Sequence, residues 1–227
     1  MEGRLNVGKR STSGGSYIPL LKATLRGDWK TAENFFQRDK SALTGPIKET
    51  EDTALHIAVG VGEENIHFVE KLVELMPVEA LALKNMDGNT PLHLAASVGN
   101  TKAAAMLVGK HPPLLYIATS VDLYGDYMLP IHCPALYGRR DTLLCLLDVT
   151  SDDQVAVNED CCAMFVDCLI SSEFFDIALK WVEKYPRLAI IISKSRFLPS
   201  ALEKMAGKGS AFKSGSQLNF WQRKIYP

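Results

Sequence analysis

The chain has 227 residues, of which 47% are hydrophobic, enough to bury a sizeable core in one domain or two. Its 25 Lys and Arg against 26 Asp and Glu give a formal charge of -1, which removes any general electrostatic pull toward nucleic acid or anionic lipid. The five cysteines, Cys133, Cys145, Cys161, Cys162 and Cys168, are odd in number and form no regular disulfide framework, so they read as reduced thiols.

Met1 to Ser16 is basic and rich in Ser and Gly, and it lacks the apolar centre that a secretory signal needs. Residues 1-16 are therefore read as a disordered segment, and Gly3 stands one place too late for myristoylation. A block "IPLLKATLRG" (18–27) follows, and then Trp29, Ala32, Phe35 and Phe36 at helical spacing. "TALHIAVGVG" (53–62) repeats the block and is followed by Ile66, Val69, Leu72, Val73 and Leu75. "TPLHLAASVG" (90–99) repeats it again, 37 residues on, with Ala105, Leu107 and Val108 behind it. "LPIHCPALYG" (129–138) keeps Pro130, His132 and Gly138, with Leu143, Leu144, Leu146 and Leu147 behind it. A fifth, degenerate copy is "CAMFVDCLISSEFFDIALKWVEKYPRLA" (162–189).

A period of 35 to 39 residues, each unit pairing two helical stretches, predicts an all-α solenoid of helical hairpins. Proline follows the second helix in "LMPVEALAL", "KHPPLLYIA" and "KYPRLAIII" and stops it there. The longest aliphatic run, Leu188 to Ile192, is far short of the roughly 20 residues that span a bilayer.

"DGNTPLHLAASVGN" (87–100) resembles the ankyrin repeat, and residues 17-192 read as about five such helix-turn-helix units, the first and last degenerate. Residues 193-212 read as a degenerate final half-repeat and 213-227 as a basic and aromatic tail. The segments "HPPLL" and "YPRLA", with Ser210, Ala211, Phe212 and Phe220, Trp221, Gln222, Arg223, resemble the plant ankyrin proteins that carry a membrane-spanning PGG domain after their repeats. That resemblance implies a role in defence or stress signalling. The sequence ends at Pro227, before the membrane part, so anchoring is not expected of it.

Within the repeat, Thr53 and Thr90 suit the start of the first helix, and Pro91 the first turn, where no N–H partner is lost. Gly62, Gly99 and Gly138 suit the turn between the two helices, and Gly88 the turn before the first. The resemblance implies that His93 bonds the neighbouring threonine hydroxyl and the backbone of the adjoining loop. His56 and His132 occupy the same place, and no catalytic mechanism needs one histidine per structural unit, so all three read as struts. Pro134 replaces the equivalent of Ala95 inside a first helix, which must either start late or kink.

The turn tips and exposed sides of the first helices form the surface where solenoids bind partners. It contains Met86, Asp87, Asn89, Ser97 and Val98 in unit three, and Thr50, Asp52, Gly60 and Val61 in unit two. Unit four adds Leu123, Tyr124, Asp126, Tyr127, Leu136 and Tyr137, an aromatic set that is either a hot spot for a partner or folds back against its neighbour. In the tail, Lys208, Lys213, Arg223 and Lys224 alternate with Phe212, Phe220, Trp221 and Tyr226. These residues either touch a membrane surface weakly or cover the last repeat.

No G-x-S-x-G, P-loop or H-E-x-x-H motif is present, and neither a cofactor nor a small-molecule substrate is expected. The cysteines around Cys161 to Cys168, with His132 and Cys133, lack C-x-x-C or H-x-x-x-H spacing, so no metal is expected either. The leading expectation is a non-enzymatic protein-interaction scaffold in the cytosol or at the cytosolic face of the plasma membrane. The alternatives are a truncated relative of a membrane-anchored ankyrin protein that pairs with full-length kin, and a metal or thiol enzyme built on the cysteine cluster.

Overall fold

The structure, a computed structural model, describes residues 17–120, 127–151, 159–190 and 201–208. Ten of its helices form five consecutive hairpins: α1 (Ile18–Arg26) with α2 (Trp29–Arg38), α3 (Ala54–Val61) with α4 (Ile66–Leu75), α5 (Pro91–Val98) with α6 (Thr101–Lys110), α7 (His132–Leu136) with α8 (Arg140–Val149), and α9 (Glu159–Ser171) with α10 (Phe175–Lys184). A short α11 (Ala201–Ala206), within the span read as a final half-repeat, packs on α9. Among the described residues there is no strand, only an isolated antiparallel bridge between Pro46 and Thr53. No described helix is long and apolar enough to cross a membrane.

Local chemistry sets the ends of these helices. Thr90 enters α5 in an extended conformation and Pro91 takes the first position, where its missing N–H costs no bond. Gly99 then turns the chain with φ +85, a left-handed conformation open to glycine, and its N–H returns to the Ala95 carbonyl. Two of the second helices start on side-chain caps: Asp28 accepts from the Thr31 amide at 3.1 Å, and Asn100 from the Ala103 amide at 3.1 Å.

Stacking follows from residue size. α1 packs on α3, α3 on α5, α5 on α7 and α7 on α9, in one layer of first helices. The buried Ala23, Ala58, Ala95, Ala96 and Ala135 keep that layer close. The second helices form the other layer, held inward by Phe36, Phe68, Leu72, Leu107, Leu143 and Leu146. Leu75, Ala105 and Leu144 share the apolar pattern of these helices but point out to solvent. After the second helices the prolines lead into tight 3-10 turns at Val78–Ala82, Pro112–Tyr116 and Pro186–Ala189, which bury Leu81, Leu114, Leu115 and Leu188.

Pro134 is accommodated by a late start. α7 begins at His132, two residues after Pro130, the counterpart of the first residue of α5. Pro134 thereby falls in the first turn of α7, where no helical partner is needed for its nitrogen. The Pro130 carbonyl takes the Cys133 amide instead, at 3.2 Å.

Two units place glutamate where their neighbours use glycine. Glu51 (φ +61) stands at the place of Gly88, and Glu173 (φ +61) at that of Gly99 and Gly138. A side chain in this conformation carries strain that glycine avoids. Glu173→Gly is expected to raise stability by roughly 0.5 to 1 kcal/mol, the relief of strain less the added chain entropy. Gly88→Ala is the opposite case, because a Cβ there would overlap the backbone nitrogen and side chain of Ser120. It should cost about 3 kcal/mol, combining backbone strain with overpacking. Urea denaturation of both variants checks the pair, and equal effects would discard the account.

Candidate functional site

The three repeated histidines are fully buried. His93 Nε2 lies 3.1 Å from the Met128 carbonyl, which can only accept, so this nitrogen carries the proton. Nδ1 is then the acceptor, receiving the Thr90 amide at 3.1 Å and lying 2.8 Å from the Thr90 hydroxyl. His56 repeats the arrangement, with Nδ1 2.8 Å from Thr53 Oγ1 and Nε2 donating to the Asn89 carbonyl at 3.0 Å. In unit four Leu129 replaces the threonine, but its amide still donates to His132 Nδ1 at 3.2 Å, while Nε2 donates to the Cys161 carbonyl at 3.0 Å. Each imidazole thus ties the start of its own first helix to the backbone of the next unit.

A second set of links escaped the sequence reading. Asn100 donates to the Val59 and Gly62 carbonyls at 3.2 and 2.9 Å, and Asn65 to the Thr24 and Ala58 carbonyls at 3.0 and 3.3 Å. In unit four Arg139 takes this place, its Nε donating to the Ser97 carbonyl at 3.2 Å. These side chains satisfy carbonyls left over at the ends of first helices. The signal was the pair Asn65 and Asn100, 35 residues apart, but Glu63 and Glu64 shift the second helix out of the 37-residue register of the first.

Some residues of the expected binding surface also serve the framework. Asp52 is buried, accepting from Asn85 Nδ2 at 2.9 Å and from the Thr50 hydroxyl at 2.6 Å, which locks successive turns together. The Asn89 backbone is committed to His56 and to Asn85, and the Ser97 hydroxyl donates to the His93 carbonyl at 2.8 Å. Tyr127 is half-buried against the core. Leu123, Tyr124 and Asp126 lie outside the described residues. The open set is Met86 (66% exposed), Asp87, Val98 (38%), Leu136 (41%) and Tyr137 (58%), joined by Thr50 and Gly60 and by the half-exposed Val61. Val61, Val98 and Tyr137 hold one repeat position at the ends of α3, α5 and α7, so they form a row along the stack.

Cys133 and Cys161 are held as protonated thiols. Cys161 Sγ is 3.5 Å from His132 Nε2, but that N–H is directed at the Cys161 carbonyl. Burial pushes the Cys161 thiol up to about 12 and the Cys133 thiol up to about 11, away from the thiolate that attack requires. Among the described residues no group of three or more His, Cys, Asp or Glu could hold a metal ion.

Burial also lowers the histidines, His93 to about 4 and His56 and His132 in the same direction, because a charged imidazole would lose its solvation there. The unfolded chain takes up these protons below about 6.5, whereas folded His93 does not until about 4. The histidine contribution is therefore constant above about pH 6.5 and is lost as pH falls toward 4, by about 3 kcal/mol for His93 alone. Asp176, lowered by its hydrogen bonds to Arg140, adds acid sensitivity only below the ordinary carboxylate range. Denaturant melts at about pH 7.5 and pH 5 check the window, and the pH dependence should shrink in His93→Ala. That variant should itself cost roughly 1 to 3 kcal/mol at neutral pH, the loss of a buried bonded group.

Comparison with known proteins agrees with this geometry. Residues 20–115, which cover almost all of the first three hairpins, match the family described as ankyrin repeats (3 copies). No curated protein matches the chain. The matched span is ankyrin repeat, and from the second unit onward a buried histidine joins each hairpin to the next, so the five hairpins form one all-α repeat solenoid.

Proposed function

We propose that the chain is a non-enzymatic scaffold that binds a protein partner through the first-helix face of units two to four. Ankyrin repeats mediate protein–protein interactions, and the coarse function follows from the repeats themselves. The observation that carries the finer reading is the row of Val61, Val98 and Tyr137, left half-open or open at equivalent places of successive units, with the exposed Leu136 beside Tyr137. Clustered exposed apolar residues, with a tyrosine among them, are the composition of binding hot spots. Met86 and Asp87 at the tip of unit three extend the contact. Leu136→Ala with Tyr137→Ala should weaken partner capture at least tenfold in a pull-down while leaving the far-ultraviolet helical signal unchanged. Capture at the wild-type level would remove this face from the reading.

The likeness of the closing segment to plant ankyrin proteins with a PGG domain supports a second, narrower reading, a role in defence or stress signalling at the cytosolic face of the plasma membrane. There the chain would pair with membrane-anchored relatives through its repeats. A basic and aromatic tail acting alone would give a small membrane fraction that high salt extracts and that deletion of residues 213–227 abolishes. A fraction that resists both treatments would favour pairing with an anchored relative. Full extraction by salt would favour the simple cytosolic scaffold.

A further inference from the structure

In the layer of second helices, the described residues of α8 and α10 leave a groove between them. α4 packs on α6 and α6 on α8, and Trp29 of α2 meets Phe68 of α4 edge-on with ring centroids 5.3 Å apart. Between α8 and α10 there is instead a groove of about 390 Å³, lined by Leu144, Leu147 and Asp148 on one side and Ile177, Lys180, Trp181 and Lys184 on the other. The spacing within each set, three and four residues apart, means that each helix presents a single continuous face to the groove.

The floor is apolar, because Ile177 and Trp181 are buried and Leu147 is half-buried, while Leu144 stands 45% exposed at the rim. The two walls differ in charge. Lys180 and Lys184 lie one turn apart along α10, and Asp148 faces them from α8. Lys184 Nζ sits 5.4 Å from the centre of the Tyr185 ring, a contact that leaves its charge in place.

We propose that this groove is a second docking site, on the face opposite the first helices, and that its occupant is an amphipathic helix from a protein partner. That helix carries an aliphatic ridge, acidic residues on the flank facing Lys180 and Lys184, and a basic residue facing Asp148. Both walls are helices whose backbone groups are already paired, so an extended strand laid between them would leave its own amides and carbonyls without partners. A helix satisfies its backbone internally and fills such a groove with side chains at i, i+3 and i+4. The unequal walls fix its direction, since the reversed helix would set like charges against each other.

The test uses the full chain carrying Leu136→Ala and Tyr137→Ala, so that failure of the first-helix face and failure of this groove are read separately. A phage-displayed library of helix-length peptides is selected against it. The recovered peptides should show aliphatic residues at helical spacing with Asp or Glu along one flank. A synthetic peptide of that consensus, titrated by calorimetry, should lose at least tenfold in affinity against Lys180→Glu with Lys184→Glu, and should recover when its own acidic flank is changed to lysine. Lys180 and Lys184 lie on the groove rim, and a thermal melt confirms that the reversal leaves the fold intact. Recovery of no binder, of peptides without an acidic flank, or of affinities indifferent to the reversal would overturn the proposal. Self-association of the chain that is abolished by Leu75→Lys and by the lysine reversal alike would overturn it in favour of a second copy, whose α4 exposes Leu75 beside Glu70 and Glu74.

Discussion

The stack depends on a neutral imidazole with one nitrogen accepting and the other donating. In His56, His93 and His132 the acceptor takes the amide at the start of the histidine's own first helix, and the donor reaches a carbonyl of the following unit. A hairpin of two helices of eight to ten residues cannot bury its apolar face alone. Joining it to a neighbour through a fully buried, fully bonded side chain supplies the register that apolar packing between alanine-rich faces leaves loose. The neutral imidazole offers one acceptor and one donor on opposite sides of a rigid ring, which suits it to bridge two units.

The stack is uneven along its length. Units two and three hold the complete set of threonine, histidine and glycine, whereas unit one has Leu21 in place of the histidine and unit four has Leu129 in place of the threonine. The C-terminal units compensate with charge. Arg140 makes a two-pronged contact with Asp176 at 3.1 and 2.5 Å, and Lys204 pairs with Asp167 while Lys208 reaches the Ser171 carbonyl at 2.8 Å. The Arg140–Asp176 pair, at the junction between units four and five, is exposed and contributes little to stability. That junction is also where the second helices part to form the groove, which places structural irregularity and candidate binding surface together.

The two faces of the solenoid carry different chemistry. Along the first helices of units two to four the open apolar residues are Val61, Val98, Leu136 and Tyr137, while Asp52 nearby is spent on joining units. Across the second helices charged side chains are interspersed with the exposed Leu75, Ala105, Leu144 and Val149. Selectivity on the first face would come from shape and apolar contact, and on the second from charge order along the groove.

The repeated residues by themselves determined the period, the hairpin, the burial of Leu92, Ala95 and Ala96, and the structural place of the histidines, because each of these is a local pattern copied from unit to unit. The match over residues 20–115 falls where that pattern is most complete. The tertiary structure decided what depends on a partner in another unit. Asp52 is buried because Asn85, 33 residues on, reaches it, and Asn65 and Asn100 act on carbonyls 41 residues before them. The late start of α7 settles whether Pro134 kinks the helix, since a proline nitrogen is harmless in the first turn and costly in the next. Which of the apolar residues at helical spacing face solvent, as Leu75 and Leu144 do, was likewise fixed only by stacking, because the sequence gives the width of an apolar stripe but the neighbouring unit sets how much of it is covered.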